Sequence, residues 1–254
     1  MNLPDVRSRT GALAGGALVA LGALTACGGS VDDDGPEKRD FALTGGELTI
    51  KRNSGDLEVR PADVDQVEVT RWFSGWSAVG GKPKASWELD GAQLKLNADC
   101  GAVINDCTTR YEVRVPKDVA LSVEGDNGKT DAAGFGKGLR ISSDNGAVHV
   151  SDVSGDVALR SGSGELKATG LDAGRVEAES DNGKVDLSFA SVPDQVDVST
   201  ENGEVTVEVP DAPYKVTTET ENGDVHPHEP TDGTSPHDIS LRTENGAITL
   251  RTAD

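Results

Sequence analysis

Three histidines late in the sequence suggest metal chemistry. His226, His228 and His237 lie in one short stretch, with Glu229 and Asp238 beside two of them. Imidazole nitrogens together with carboxylate oxygens form a donor set that suits zinc or copper. Prolines interrupt the same stretch and predict an irregular loop. We therefore expect no metal, and we keep the three histidines only as candidate ligands.

A cysteine near the start of the chain has the surroundings of a lipid-attachment site. Two arginines precede an uncharged apolar run at residues 11–24, which fits the core of a secretory signal and is too short to cross a bilayer as a helix. The run ends in Leu-Thr-Ala followed by Cys27. This stretch resembles the lipobox of bacterial lipoproteins, and the resemblance implies cleavage after residue 26 and lipidation of Cys27. An ordinary cleaved signal, or an uncleaved anchor, is the alternative.

The lipobox resemblance also implies a location. A diacylglycerol on Cys27 would supply the two acyl chains that stable anchoring requires. We therefore expect the chain to sit on the extracytoplasmic face of the cell membrane. Residues 27–40 are acidic, rich in glycine and poor in apolar side chains, so they predict a flexible tether.

The two remaining cysteines, Cys100 and Cys107, form an even pair. In an exported chain such a pair predicts a disulfide. Metal binding by the pair is the alternative, and the spacing is not the Cys-x-x-Cys of a redox motif.

Carboxylates are abundant, and some of them recur in register. The formal net charge is −20, which disfavours nucleic acid as a partner. One acidic residue stands before each of six asparagines: Asp126, Asp144, Asp181, Glu201, Glu221 and Glu244. If these residues stack, they form a line of like charge that either stays solvated or attracts calcium or a basic partner. The Gly-Gly-x-Gly-x-Asp spacing of calcium-binding nonapeptides is absent.

Aromatic residues are scarce and concentrate at Trp72, Phe73, Trp76 and Trp87. They are candidates for a hydrophobic cap at one end of the domain, or for stacking on the sugar rings of a cell-wall glycan. The sequence has no Ser-His-Asp spacing, phosphate loop or zinc signature, so we expect no catalytic residues.

The element that must position these groups is a repeat. Its corners are Asn127-Gly128, Asn145-Gly146, Asn182-Gly183, Asn202-Gly203, Asn222-Gly223 and Asn245-Gly246, with Ser163-Gly164 in the one gap. Successive glycines are 18, 18, 19, 20, 20 and 23 residues apart. Apolar and polar residues alternate on both sides of each pair, which is typical of strands. Asn-Gly favours a turn with positive φ, so each unit reads as strand, tight turn, strand, looser turn.

Two all-β architectures fit this unit. In an antiparallel β-meander each Asn-Gly pair would close a hairpin. In a single-stranded parallel β-solenoid each unit would be one coil, and equivalent residues would stack. The near-constant period favours the solenoid, with about seven coils.

The segment Tyr111-Glu112-Val113-Arg114-Val115-Pro116, followed by the Asp-Asn-Gly and Glu-Asn-Gly repeats, resembles the bacterial "putative-adhesin" family of uncharacterised β-solenoid domains. The resemblance covers residues 41–252 and implies no catalytic residues and no cofactor. We expect residues 41–116 to form an N-terminal β cap and residues 117–252 the repeat region.

Together these features predict a non-catalytic, membrane-anchored protein for binding or adhesion, with a cell-wall glycan or a basic envelope protein as partner. The alternatives are an accessory or sensory subunit of another envelope protein and, more remotely, a polysaccharide-active enzyme; the sequence does not indicate the oligomeric state.

Overall fold

The computed structural model describes residues 35–79, 82–101, 104–226 and 231–253. The described residues form 21 strands: β1 Glu37–Phe41, β2 Glu47–Arg52, β3 Asp56–Ala62, β4 Val67–Val79, β5 Lys84–Asp90, β6 Gln93–Asp99, β7 Ile104–Pro116, β8 Ala120–Asn127, β9 Thr130–Ala133, β10 Leu139–Asn145, β11 Val148–Ser151, β12 Val157–Ser163, β13 Leu166–Leu171, β14 Arg175–Asn182, β15 Val185–Phe189, β16 Gln195–Asn202, β17 Val205–Val209, β18 Lys215–Asn222, β19 Val225–His226, β20 Asp238–Asn245 and β21 Ile248–Thr252. No helix that could span a membrane occurs among these residues.

The strands form two sheets that enclose one hydrophobic core. The first sheet has the order β1-β4-β7-β3-β9-β11-β13-β15-β17-β21-β19, and the second has the order β18-β20-β16-β14-β12-β10-β8-β2-β6-β5. Each repeat contributes one strand to each sheet, and equivalent strands of neighbouring repeats pair in parallel. The prediction of a parallel β-solenoid is confirmed. The β-meander alternative is wrong, because β8 and β9 pair with the next repeat and not with each other.

The seven repeats are coils 1 to 7 in chain order: β8–β9, β10–β11, β12–β13, β14–β15, β16–β17, β18–β19 and β20–β21. Alternating side chains point inward and stack on their equivalents in the next coil. Ile50, Val123, Ile141, Leu159, Ala178, Val198 and Leu241 form one such column and are all almost fully buried. Full burial of a valine or leucine side chain contributes about 1.5–3 kcal/mol, so these columns hold the coils together.

The spatial order of the last two coils is exchanged. β20 pairs with β16 on one side and with β18 on the other, so coil 7 lies between coils 5 and 6. The glycine corners follow the same order, because Gly246 lies against Gly203 and Gly223 lies against Gly246. The coils therefore do not stack in strict sequence order, although the regular period suggests that they would.

The N-terminal segment continues the same architecture. β2 and β3 form a further coil around Gly55, directly beside coil 1. β6 and β7 run parallel to β2 and β3 outside that coil, and the antiparallel strands β5, β4 and β1 complete the cap. The predicted tether, residues 27–40, is wrong at its end: Glu37–Phe41 is a strand that pairs with β4. The first four residues of this strand are charged, so it lacks the alternation of apolar and polar residues that indicates a strand in the sequence.

Candidate binding surface

The asparagine–glycine corners stack at a distance that leaves no room for a side chain. A Cβ built on Gly203 would lie 2.0 Å from the carbonyl oxygen of Gly183, and one on Gly246 would lie 2.0 Å from that of Gly203. The Gly183 amide donates to the Asn202 carbonyl at 3.0 Å, so the backbones of neighbouring coils are hydrogen-bonded here.

At three of the corners this stacking replaces the predicted reason for glycine. Gly183, Gly203 and Gly246 do not have a φ in the left-handed range, whereas Gly128 does, with φ 108°. At Gly183, Gly203 and Gly246 glycine is needed for the close approach of two backbones and not for a positive φ. The other corner glycines, Gly128, Gly146, Gly164 and Gly223, have the predicted positive φ.

Beside the glycines, the asparagine side chains form a ladder. The Nδ2 of Asn202 donates to Oδ1 of Asn182, that of Asn245 to Asn202, and that of Asn222 to Asn245, each at 3.0 Å. The ladder follows the exchanged order of coils 7 and 6. Its hydrogen bonds link the corners of coils 4, 5, 7 and 6, in that spatial order.

The acidic residue before each asparagine is exposed on the outside of the second sheet. Coil 3 interrupts the line, because it has Gly162 at this position, and a Cβ there would lie 2.9 Å from the carbonyl oxygen of Asp144. The line therefore divides into Asp126 and Asp144 on one side and a run of four carboxylates on the other. In spatial order that run is Asp181, Glu201, Glu244 and Glu221, with neighbouring coils about 4.8 Å apart.

These four carboxylates line a groove of about 320 Å³. Glu179 and Glu219 also line it, together with the hydroxyl residues Ser180, Ser199, Thr200 and Thr243. Arg242 is the one cation among the lining residues, and its Nε lies 3.5 Å from Glu219. The groove thus presents a concentrated negative charge. Ser199 is its one exposed hydroxyl residue, because Ser180, Thr200 and Thr243 are buried. The groove suits a ligand that carries several positive charges.

A buried arginine that the sequence pattern did not indicate supports the corner at the N-terminal end. Arg52 is 2% exposed and stands at the interior position that is Gly125 in coil 1. Its guanidinium donates to the carbonyls of Gly55, of Lys129 at 2.9 Å and of Gly128 at 3.1 Å. Burial lowers the pKa of Arg52, and the nearby Asp56 carboxylate opposes that shift.

A buried tyrosine lies close to this arginine. Burial raises the pKa of Tyr111 to about 12, although Arg71 and Arg52 act in the opposite direction. Arg71 is also mostly buried; it pairs with Glu37 and lies 4.2 Å from the ring of Trp87. The feature of the sequence that could have indicated Arg52 is Gly125, the small residue at the equivalent position of the next coil. Only the strand register shows that these two positions are neighbours.

Of the three candidate metal ligands, two lie within the described residues. His226 lies on β19 in the first sheet, His237 precedes β20 in the second, and His228 lies outside the described residues. The ring Nδ1 of His237 is 2.9 Å from the Pro193 carbonyl and 3.6 Å from Asp194. Within the described residues, no group of three or more His, Cys, Asp or Glu could hold a metal ion.

Cys100 and Cys107 are joined by a disulfide, with Cα atoms 5.7 Å apart. It ties the end of β6 to β7, next to Gly75 of β4, whose Cβ would lie 2.6 Å from that of Cys107. Cys27, the predicted lipidation site, lies outside the described residues.

The aromatic residues have separate roles in the cap. Trp87 packs against the hydrophobic core, and Trp72 lies under the guanidinium of Arg110 at 4.0 Å. Phe73 is half-buried, whereas Trp76 is 48% exposed. The prediction of a hydrophobic cap therefore fits Trp87, which packs against the core, and does not fit Trp76, which is about half exposed.

Comparison with known proteins places the fold. A crystal structure of a "putative adhesin" from Bacteroides fragilis is 14% identical, with a TM-score of 0.50, and the match covers 87% of this chain and 98% of that one. A "putative cell adhesion protein" from Clostridium sporogenes is 13% identical, with a TM-score of 0.35, and the match covers 86% of this chain and 99% of that one. No curated protein matches the chain. The model of the family described as Toastrack DUF4097 matches residues 36–251. Because that match takes in most of the sequence, the chain belongs to the Toastrack DUF4097 family.

Proposed function

We propose that this chain is a lipid-anchored protein of the cell envelope that binds a basic partner through its acidic groove and catalyses no reaction. The observation that carries the proposal is the run of Asp181, Glu201, Glu244 and Glu221 along one groove, with Arg242 as the one lining cation. Like charges about 4.8 Å apart repel each other. A ligand with matching positive charges relieves that repulsion, so the groove favours a basic protein surface.

The relatives support a binding role only through their descriptions, since two of them are called a "putative adhesin" and a "putative cell adhesion protein". An enzymatic role has less support. Catalytic carboxylates are usually few, partly buried and shifted in pKa. The carboxylates in this line are exposed and similar to one another.

Cross-linking in envelope extract, with the full chain as bait, tests the groove. The variant Asp181→Asn, Glu201→Gln, Glu244→Gln removes three carboxylates with little change in shape, so the basic partner should no longer be recovered. The control Asp63→Asn, Glu47→Gln, Glu88→Gln makes the same change in charge at exposed sites on the N-terminal part and should recover the partner as the wild type does. Equal recovery by both variants would refute the assignment of the groove.

Calcium is the competing occupant of the groove, because it prefers carboxylate oxygens. If millimolar calcium raises the melting temperature of the wild type and not that of the groove variant, the ligand of the groove is a cation and not a basic partner.

Membrane anchoring rests on the lipobox alone. Labelled fatty acid should enter the wild type and a Ser30→Ala control, and it should not enter Cys27→Ala. Equal labelling of all three proteins would remove the anchor from the proposal and leave the groove unaffected.

A further inference from the structure

The stack of coils ends at β18, and this end has an open strand edge. Among the described strands, β18 pairs with β20 on one side and with none on the other. It is eight residues long and contains no proline. Long open edges are templates for pairing with another strand, and proteins usually shorten, bulge or cover them. This edge therefore requires an explanation.

The open edge is limited to three residues. The amide of Lys215 donates to the His237 carbonyl at 2.8 Å, so its backbone groups face β20. Backbone groups of successive residues point to opposite sides of a strand, which leaves those of Val216, Thr218 and Thr220 on the open side. The edge before them is occupied, because the carbonyl of Tyr214 accepts the amide of Asp232 at 2.8 Å.

We propose that the partner of this edge is the β18 of a second copy of the chain, running antiparallel about a two-fold axis through Thr218. In this register Thr218 faces its own equivalent, and Val216 faces Thr220 of the second copy. These are the residues whose backbone groups point outward, so every pair exchanges two hydrogen bonds. The two sheets become one, and the half-buried side chains of the three residues meet across the axis.

Charge selects the same register. Lys215, which pairs with Asp238 of its own chain at 2.5 Å, comes to lie opposite Glu221 of the second copy, twice by symmetry, and the side chains of Lys215 and Glu221 are exposed. Thr217 lies opposite Glu219, so no like charges face each other. An axis at Glu219 would oppose two glutamates, which is destabilising. An axis at Thr217 would set Thr220 against Tyr214, whose carbonyl is already occupied.

The residues of coil 6 suit a strand that is exposed in the monomer and paired in the dimer. Where coils 5 and 7 have Val198 and Leu241 in the core column, coil 6 has Thr218. Threonine tolerates both the exposed monomer and the paired strand, since it favours strands and is not strongly apolar. Val225, 36% exposed on β19 of the same coil, marks the end that a second copy would approach.

Disulfide trapping tests the pairing with the full chain in a Cys27→Ala background. Equivalent Cα atoms at position 218 would be about 5.5 Å apart in a hydrogen-bonded antiparallel pair, which is within the usual span of a disulfide. Thr218→Cys should form a covalent dimer under mild oxidation, and reduction should reverse it. In the control Thr217→Cys, the equivalent Cα atoms would be about 8 Å apart, too far for a disulfide. That variant should form no covalent dimer.

Charge exchange gives a second readout by sedimentation velocity. Lys215→Glu sets two glutamates opposite each other and should reduce the dimer fraction, and the double variant Lys215→Glu, Glu221→Lys should restore it. The proposal is overturned if folded Thr218→Cys forms no covalent dimer, or if Thr217→Cys cross-links equally well. Chains of more than two copies would instead indicate head-to-tail stacking and would equally overturn it.

Discussion

Replacing Gly203 with alanine tests whether the corner is governed by the close approach of two backbones. The new methyl carbon would lie 2.0 Å from the carbonyl oxygen of Gly183 and 2.7 Å from its carbonyl carbon. Non-bonded heavy atoms prefer about 3.5 Å, so coils 4 and 5 would have to separate locally by roughly 1.5 Å. That movement would break the hydrogen bond from the Gly183 amide to the Asn202 carbonyl, which is 3.0 Å long.

The magnitude follows from these two effects. Overpacking costs about 1–3 kcal/mol, and the lost hydrogen bond costs about 1 kcal/mol more. We therefore expect Gly203→Ala to lower the free energy of unfolding by about 3 kcal/mol. For a domain of about 150–250 residues this corresponds to a drop in melting temperature of roughly 6–12 °C.

The assay is thermal unfolding followed by circular dichroism, with Gly138→Ala as the matched control. A Cβ on Gly138 meets nothing within 4 Å, and its φ lies outside the left-handed range. Alanine at that position restricts the unfolded chain and should stabilise the protein by about 0.4–1 kcal/mol. The reasoning fails if Gly203→Ala melts within about 2 °C of the wild type, less than the shift for 1 kcal/mol.

The asparagine ladder, the buried phenol and the disulfide each contribute separately to stability. Asn202→Ala removes two 3.0 Å hydrogen bonds, the one that Asn202 donates to Asn182 and the one that it accepts from Asn245, and should cost about 1–2 kcal/mol in urea unfolding; an unchanged midpoint would contradict this. Burial raises the pKa of Tyr111 from 10 to about 12. The unfolded chain therefore loses this proton first, and stability falls by up to about 3 kcal/mol as the pH rises from about 10 to about 12. Tyr111→Phe should flatten this alkaline slope, and an identical slope would refute the assignment. Replacing Cys100 and Cys107 by serine should cost about 2.5 kcal/mol through the entropy of the short loop, measured against the oxidised wild type.

The repeat made most of the fold predictable. The alternation of apolar residues and the regular spacing of the glycine corners are local signals, and they specify strands, corners and stacking. The order of coils 6 and 7 was not predictable in this way, because both carry the same Glu-Asn-Gly corner. One interior position distinguishes them: Leu241 of coil 7 needs cover on both sides, whereas Thr218, its equivalent in coil 6, tolerates the end of the stack.

The acidic line was predicted residue by residue, but its division was not. Gly162 looks like an ordinary corner residue until the stacked carbonyl of Asp144 shows that a side chain would not fit. Arg52 was missed for a similar reason. A charged residue in an alternating pattern is expected outside, and only the pairing with Gly125 reveals the space that its side chain fills.

The exchanged coils have a consequence for how the protein is made. Coil 6 leaves the ribosome before coil 7, yet its place in the second sheet is beside β20 and not beside β16. Residues 215–226 therefore have no template until residues 238–252, which form β20 and β21, have been synthesised. Folding that propagates from the N-terminal coils must pause after coil 5, and β20 must dock before β18 can. A premature stop within coil 7 would therefore leave two coils without a partner and not one, because β18 pairs only with β20 among the described strands.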